Sequence, residues 1–363
     1  MPWPVGTAGT RPSAQGGALN RTTTLRDVAN RADVHPSTAS RALNERTRAL
    51  VNATTVTRVL AAADELGYRP NALAQGLKVN RTMTVGMLVP DLTNPLFPPI
   101  VRGIEDRLTA AGSTLLVANT DNDGEKERAI LDVMARRRVD GLILATAQRE
   151  HPILEEMLRL RYPIVLVNRT ADVPALPSVA GDDHVGIGMA VRHLVELGHT
   201  RIAHLAGSRA VSTGLVRHQS FLTWMETHGL TVDPELVVFC NWFNQQSGAA
   251  AFRELLEREA PFTAVVAAND LVALGCYDVA AERGLAIPDD VSVIGYNDIP
   301  FADRFAPPLT TVRIPHYEIG VRAAELVLEA IEHPGSPSVG LRLPPELRVR
   351  GSTAPPRSAG AGG

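Results

Sequence analysis

His184, His193, His199 and His204 gather in one stretch of the sequence. None has the HExxH spacing that would set two imidazoles on one helical face around zinc, so they read as satisfied core or surface histidines. Cys240 and Cys276 are the only cysteines, too few for a disulfide framework or a thiolate zinc site, and they read as buried small hydrophobes. The sequence holds no GxxxxGK[ST] loop and no GxSxG elbow, and the glycines from Gly181 to Gly188 lack the GxGxxG pattern. No enzyme, cofactor or metal is expected. What remains are polar side chains at the ends of apolar runs. Asn94 and Phe97 follow TVGMLV, Asn168 and Arg169 close PIVLVN, Asn269 and Asp270 follow TAVVAA, and Asn297 and Asp298 follow VSVIGY. Carboxamides, acids and an arginine beside an aromatic wall suit a polyol or sugar, which needs directional hydrogen bonds and a flat apolar face. The other reading, kept open above all for Asp270 and Asp298, is that such residues cap the next helix.

The elements that must carry these residues alternate from residue 82 onward. TVGMLV, STLLVA, DGLILA and PIVLVN read as buried strands, separated by helical stretches over 96–111, 125–137 and 150–160. The beat repeats with RIAHLA, LVVF, TAVVAA and VSVIGY, and with helices near 213–228, 247–259 and 271–283. Two such sets imply two doubly wound α/β subdomains with a ligand cleft at the carboxyl ends of the strands. That is a periplasmic-binding-protein-like body.

With 363 residues, 45% hydrophobic and 21% charged, and a mean hydropathy near zero, the chain is an ordinary globular protein of two or three domains. No apolar run approaches the ~20 residues of a spanning helix, and the first twenty residues lack the apolar core of a secretory signal, so a cytoplasmic location and no membrane contact are expected. The net charge of −3 hides an asymmetry. Residues 21–81 hold ten Arg/Lys against five acids; removing them and Arg11 from the totals of 36 and 39 leaves 25 bases and 34 acids, a net of −9, over residues 82–363. A basic head on an acidic body suits a polyanion-binding module joined to a module with another task.

The head reads as three helices. Thr24 and Asp27 have capping-box spacing, and Leu25, Val28, Ala29 and Ala32 form one face of a helix ending near Arg31. Asp33 takes the bend, and Pro36 opens a second helix to Leu43 with Ala39, Ala42 and Leu43 inward. A third helix runs from a cap at Asn52 to Leu66, with Val56, Val59, Leu60, Ala63 and Leu66 as its buried stripe and Gly67 as its stop. Two helices joined by a tight bend and packed on a third make a helix-turn-helix, which exposes its second helix to a major groove.

The residues TLRDVANRADVHPSTASRALN and ELGYRPNALAQGL closely resemble the DNA-binding head and hinge of the LacI/GalR family of bacterial regulators. The resemblance continues through PDLTNPLF, AAND, IGYND and PPLTTV to about residue 354. It implies a disordered extension over 1–21, a helix-turn-helix domain over 22–68, a hinge helix and linker over 69–81, an effector-binding and dimerisation domain over 82–354, and a disordered tail over 355–363. It further implies DNA contacts from Thr24, His35, Pro36, Ser37, Thr38, Ser40, Arg41, Asn44, Tyr68, Asn71 and Ala74, with Leu77 as a minor-groove wedge. Arg41 is the candidate for bidentate contact to guanine, with a phosphate contact as the alternative. Asp33 stands in place of the family's turn glycine, His35 in place of its Ser or Thr cap, and Gly76 weakens the hinge helix by about 0.5–1 kcal/mol. In the body the resemblance assigns effector binding to Arg217 and ring stacking to Phe243, with Trp242 as the other candidate, beside Asn94, Phe97, Asn168, Asn269 and Asn297. Asn297 stands where many members carry a carboxylate. The implied protein is a homodimeric repressor of a palindromic operator on double-stranded DNA, answering to a small molecule, a sugar or else a purine. A transporter-type sugar-binding protein is the competing class, and it would have no basic head.

Overall fold

The computed structural model describes residues 23–44, 47–68, 81–172 and 176–357. The expected N-terminal extension, the hinge with Asn71, Ala74, Gly76 and Leu77, and the last six residues lie outside the described residues. The chain divides into two compact units, Met1–Asn80 and Arg81–Gly363.

In the first unit, α1 (Leu25–Arg31), α2 (Pro36–Leu43) and α3 (Ala53–Glu65) enclose a small core of Val28, Ala29, Ala39, Ala42, Val59, Ala62 and Ala63. Each start is a side-chain cap. The Thr24 hydroxyl accepts the Asp27 N–H at 3.3 Å while the Asp27 carboxylate accepts the Thr24 N–H at 2.9 Å. Asn52 accepts the Thr54 N–H at 2.9 Å. Asp33 turns the chain at φ 49°, and Gly67 ends the third helix at φ 59°. One expectation fails: Leu60 is 39% exposed and Ala62 fills the core instead. Leu60 follows Val59 by about 100° around the helix, which carries it off the buried face.

The second unit opens with β1 (Thr84–Val89), α4 (Phe97–Ala110), β2 (Thr114–Asn119), α5 (Gly124–Arg136), β3 (Gly141–Leu144), α6 (Pro152–Arg159), β4 (Ile164–Val167) and β5 (Ser178–Gly181). It continues with α7 (Asp183–Glu196), β6 (Ile202–Ala206), α8 (Ser212–Thr227), β7 (Val237–Phe239), α9 (Gln245–Glu257), β8 (Ala264–Ala267), α10 (Asp270–Arg283) and β9 (Ser292–Asn297). Last come β10 (Thr310–Arg313), α11 (His316–Glu332), β11 (Gly340–Leu343) and β12 (Glu346–Arg348). One sheet has the order β11-β5-β4-β3-β1-β2, and the other β12-β10-β9-β8-β6-β7. Every pairing is parallel except that of the edge strand β12 with β10. β3, β4, β8 and β9 are buried along their whole length, as strands covered by helices on both faces must be.

The two subdomains are not consecutive halves. After β5 the chain crosses into the second sheet's layer with α7, returns at 313–316 so that α11 packs on α4 and on β3 to β5, and crosses again between β11 and β12. Where α11 meets α4, glycines let the backbones touch. A Cβ on Gly103 would lie 2.2 Å from the Tyr317 carbonyl oxygen, and one on Gly320 would lie 2.1 Å from that of Ile100. The packed chain also outlasts the expected boundary at 354: Arg357 is paired with Asp290 at 2.5 Å and Asp289 at 3.6 Å.

Candidate functional site

The head presents α2 from a capped start. His35 takes the capping role through Nδ1, which accepts the Ser37 N–H at 3.3 Å and lies 2.8 Å from the Ser37 hydroxyl. An imidazole thus replaces a hydroxyl cap without loss of the helix. Pro36 supplies the first turn, where its missing N–H is not needed. Ser37 and Arg41 are exposed, with Thr38 and Ser40 half-buried beside them. Asn44 caps the helix end through its backbone N–H to the Arg41 carbonyl, and Thr24 caps α1. Tyr68 packs on the head core, its N–H on the Ala63 carbonyl at 2.8 Å. An exposed helix carrying an Arg and short hydroxyl side chains has the shape and donors for a major groove.

In the body, a cavity of about 330 Å³ lies at the carboxyl ends of the strands of both sheets. Asn94, Phe97, Asn168, Arg217, Phe243, Asn269 and Asn297 all line it, together with Arg169 and Trp242. Local backbone explains the strand-end amides. Asn168 has φ 64° and Asn297 φ 115°, in the left-handed region that Asn tolerates better than a branched residue. Asn269 caps α10, its oxygen accepting the Val272 N–H at 2.8 Å, and still reaches the cavity. The two readings of that residue are therefore compatible. Phe243 has room because residue 207 is glycine: a Cβ there would fall 2.3 Å from its ring.

Arg217 is almost wholly buried. Its Nε donates to Asp183 at 2.9 Å, its Nη1 to the Ala268 carbonyl at 2.8 Å, and its guanidinium lies 3.9 Å from the centre of the Tyr296 ring. Three of its five N–H groups remain for a ligand. Arg169 is also buried, and loss of hydration pushes its pKa down to about 10. Asn297 is 2% exposed, and its Oδ1 has no hydrogen-bond partner. Across the cleft, the Thr170 N–H donates to the Ser212 hydroxyl at 2.8 Å and the Arg149 N–H to the Ala210 carbonyl at 3.0 Å.

Asp270 and Asp298 stay out of the cavity. Asp270 accepts the Ile299 N–H at 2.8 Å and the Thr311 hydroxyl, and Asp298 pairs with Arg350 at 2.7 Å. Both are structural, though neither caps a helix. Sequence reasoning missed Asp91, Asp121, Asn122, Thr213 and Asn244, which also line the cavity. Asp121 and Asn122 follow β2 just as Asn94 follows β1, so the strand-end rule would have found them had it been applied to every strand. Among the described residues no three His, Cys, Asp or Glu side chains are grouped to hold a metal, and no helix is long and apolar enough to cross a membrane.

Known proteins resemble the whole of this arrangement. The family profile described as bacterial regulatory proteins, lacI family, matches residues 24–71, and that of the periplasmic binding protein-like domain matches residues 191–353. The HTH-type transcriptional repressor PurR of Photobacterium profundum is 33% identical over 330 residues, 91% of this chain and 98% of that protein. A solved complex of the transcriptional regulator CelR with cellobiose is 32% identical, covers 91% of this chain and 99% of its own, and superposes with a TM-score of 0.71. The lac repressor dimer, solved with operator and the anti-inducer ONPF, is 26% identical over 92% of this chain and 100% of its own, with a TM-score of 0.81.

Proposed function

Because the chain belongs to the LacI family of bacterial regulatory proteins, we propose that it is a homodimeric repressor whose hold on a palindromic operator is set by a sugar bound in the body's cleft. The DNA contacts come from Ser37, Thr38, Ser40 and Arg41 on α2, with Leu77 of the hinge wedged into the minor groove. Two-fold symmetry sets two such helices on successive half-sites. The protein works in the cytoplasm, where its DNA is, and carries out no covalent step. The effector acts by population shift: a ligand that prefers one geometry of the cleft favours the state that goes with it, and the three crossings between the sheets are where that geometry can change.

The observation that carries the sugar reading is the single cavity lined by all seven nominated side chains, polar amides and guanidinia beside the Phe97 and Phe243 rings. At about 330 Å³ it lies near the lower end of the ~300–1,000 Å³ range of small-molecule sites. A purine is the second reading, favoured by the same two rings and Trp242, on which a base could stack. The test is calorimetric titration of sugars and nucleobases into wild type, Arg217→Lys and Arg217→Ala. We expect sugar binding to weaken in the lysine variant, which lacks the planar fork, and to be lost in the alanine variant. Removing Arg217 leaves the half-buried Asp183 carboxylate without its partner, at a cost up to about 3 kcal/mol, so the variants' melting is followed alongside. Unaltered affinity would take Arg217 out of the site, and binding by nucleobases alone would replace the sugar.

A further inference from the structure

The cavity is rich in donors and poor in acceptors. Asn94, Asn244 and Asn269 each commit the carboxamide oxygen to a backbone N–H, of Leu96 at 3.0 Å, Ser247 at 2.9 Å and Val272 at 2.8 Å. That leaves their NH2 groups for a ligand, less the one N–H that Asn269 gives to the Phe243 carbonyl at 3.3 Å. Four helices of thirteen residues or more, α4, α8, α9 and α10, begin at this cavity through Phe97, Thr213, Asn244 and Asn269. α8, α9 and α10 bring unsatisfied N–H groups and the positive ends of their dipoles; α4 brings the dipole alone, since Pro98 and Pro99 have no N–H and Asn94 takes those of Leu96 and Phe97. Such ends favour negative charge.

The two guanidinia differ. Arg217 is neutralised by Asp183 at 2.9 Å. Arg169 is 9% exposed and makes no ion pair among the described residues. Glu127, the one carboxylate whose field acts on it, is held instead by the Thr146 hydroxyl and by His151 at 3.4 Å. The two acids on the cavity wall are engaged elsewhere: Asp121, exposed, with Lys126 and Asn119, and Asp91 with the Thr93 N–H at 2.8 Å and hydroxyl at 2.6 Å. Acceptors are present too: Asn122, whose NH2 group goes to the Pro90 carbonyl at 3.5 Å, and above all the buried and unpartnered Oδ1 of Asn297. A neutral sugar would leave the buried Arg169 charge with no ion pair and only the field of Glu127, itself engaged elsewhere, to balance it, which is costly. Resting on the sugar reading, we propose that the effector is an anionic polyol: a carboxylate or phosphate on it meets Arg169, and one of its hydroxyls donates to Asn297.

The test compares each neutral sugar with its acids at constant ionic strength: glucose with gluconate, glucuronate and glucose 6-phosphate, and ribose with ribose 5-phosphate, with adenosine as control. Calorimetry is run on the full chain as wild type, Arg169→Gln and Arg169→Lys. We expect an acid to bind at least tenfold more tightly than its parent, the advantage to vanish in Arg169→Gln, and most of it to survive in Arg169→Lys. A carboxylate or a phosphate as the preferred group identifies the source. Inorganic phosphate, titrated against chloride in a melting experiment, supplies a readout that does not depend on the panel: it should raise the melting temperature of wild type and not of Arg169→Gln. Without any anion, Arg169→Gln should melt above wild type, since it removes an unpaired buried charge. Equal affinity for acid and parent, or equal phosphate responses in wild type and Arg169→Gln, would overturn the anionic effector and leave the sugar reading standing. Binding of adenosine alone would overturn both.

Discussion

Asp270 is fully buried at the start of α10, with Gly295 leaving room for its carboxyl: a Cβ there would lie 2.3 Å from Oδ1. Its two donors favour the ionised form, yet burial outweighs them and pushes the pKa up to about 7. An unfolded Asp titrates near ~3.9, so between about pH 4 and about 7 the folded protein keeps a proton that the unfolded chain has lost, and stability falls as pH rises through that window. Asp270→Asn imitates the protonated acid. Its melting temperature relative to wild type should therefore climb as pH is raised from about 4 to about 7, and a difference that stays constant would put the carboxyl at its ordinary value. On the head, Arg41 is exposed on α2. Arg41→Ala should weaken operator binding by about 1–3 kcal/mol and relax base preference at one position per half-site. Equal weakening on random DNA, measured by anisotropy, would reduce it to a phosphate clamp. The site residues legible in the sequence were those at strand ends with side chains of obvious use. Asp270 and Asp298 share that placement and fail because β10 and Arg350, far along the chain, take them up.

At the scale of elements, legibility followed local signals. The head's helices could be bounded to within a residue or two because their starts and stops are written in caps: Thr24, His35, Asn52 and Gly67. The long apolar strands were equally plain as strands, although STLLVA, expected to be buried, runs half-exposed as β2 because it is the edge of its sheet. β5, β11 and β12 were not: β5 is fully buried but only four residues of small side chains, SVAG, and β11 and β12 are three or four residues of alternating or partial burial, so none gives a pattern above background. Nor could the exchange of α7, α11 and β12 between sheets be read, because it depends on pairings between segments far apart in sequence. Glycines carry some of that information without advertising it. Gly103 and Gly320 make the contact of α4 with α11 possible, and Gly320→Ala would press a methyl onto the Ile100 carbonyl. Overpacking of this kind costs about 1–3 kcal/mol, against about 1 kcal/mol returned by Ala's better helix propensity. The variant should be destabilised in urea unfolding while an exposed control, Gly124→Ala, where a Cβ meets nothing, should not. Equal midpoints would mean that the helices separate without penalty.

At the scale of the molecule, charge divides the labour. The segment 21–81 carries a surplus of five positive charges and residues 82–363 a deficit of nine, so DNA attracts one end of the chain and repels the other. Phosphate contacts release condensed counterions, and their number sets how steeply affinity falls with salt. Ten bases in each of two heads are enough for the 6–10 phosphate contacts at which affinity drops about 10³–10⁵-fold between about 50 and about 200 mM salt. The effector should behave differently even when it is an acid. Its countercharge, Arg169, is buried, and a buried pair is screened far less than a surface one. Over the same salt range the effector's dissociation constant should move by a small factor while the operator's moves by orders of magnitude. Anisotropy of a labelled operator and calorimetry of the effector, run on one salt series, give both slopes. An operator slope near zero would remove the head's bases from the DNA interface, and an effector slope as steep as the operator's would place the ligand on the open surface instead of in the cleft.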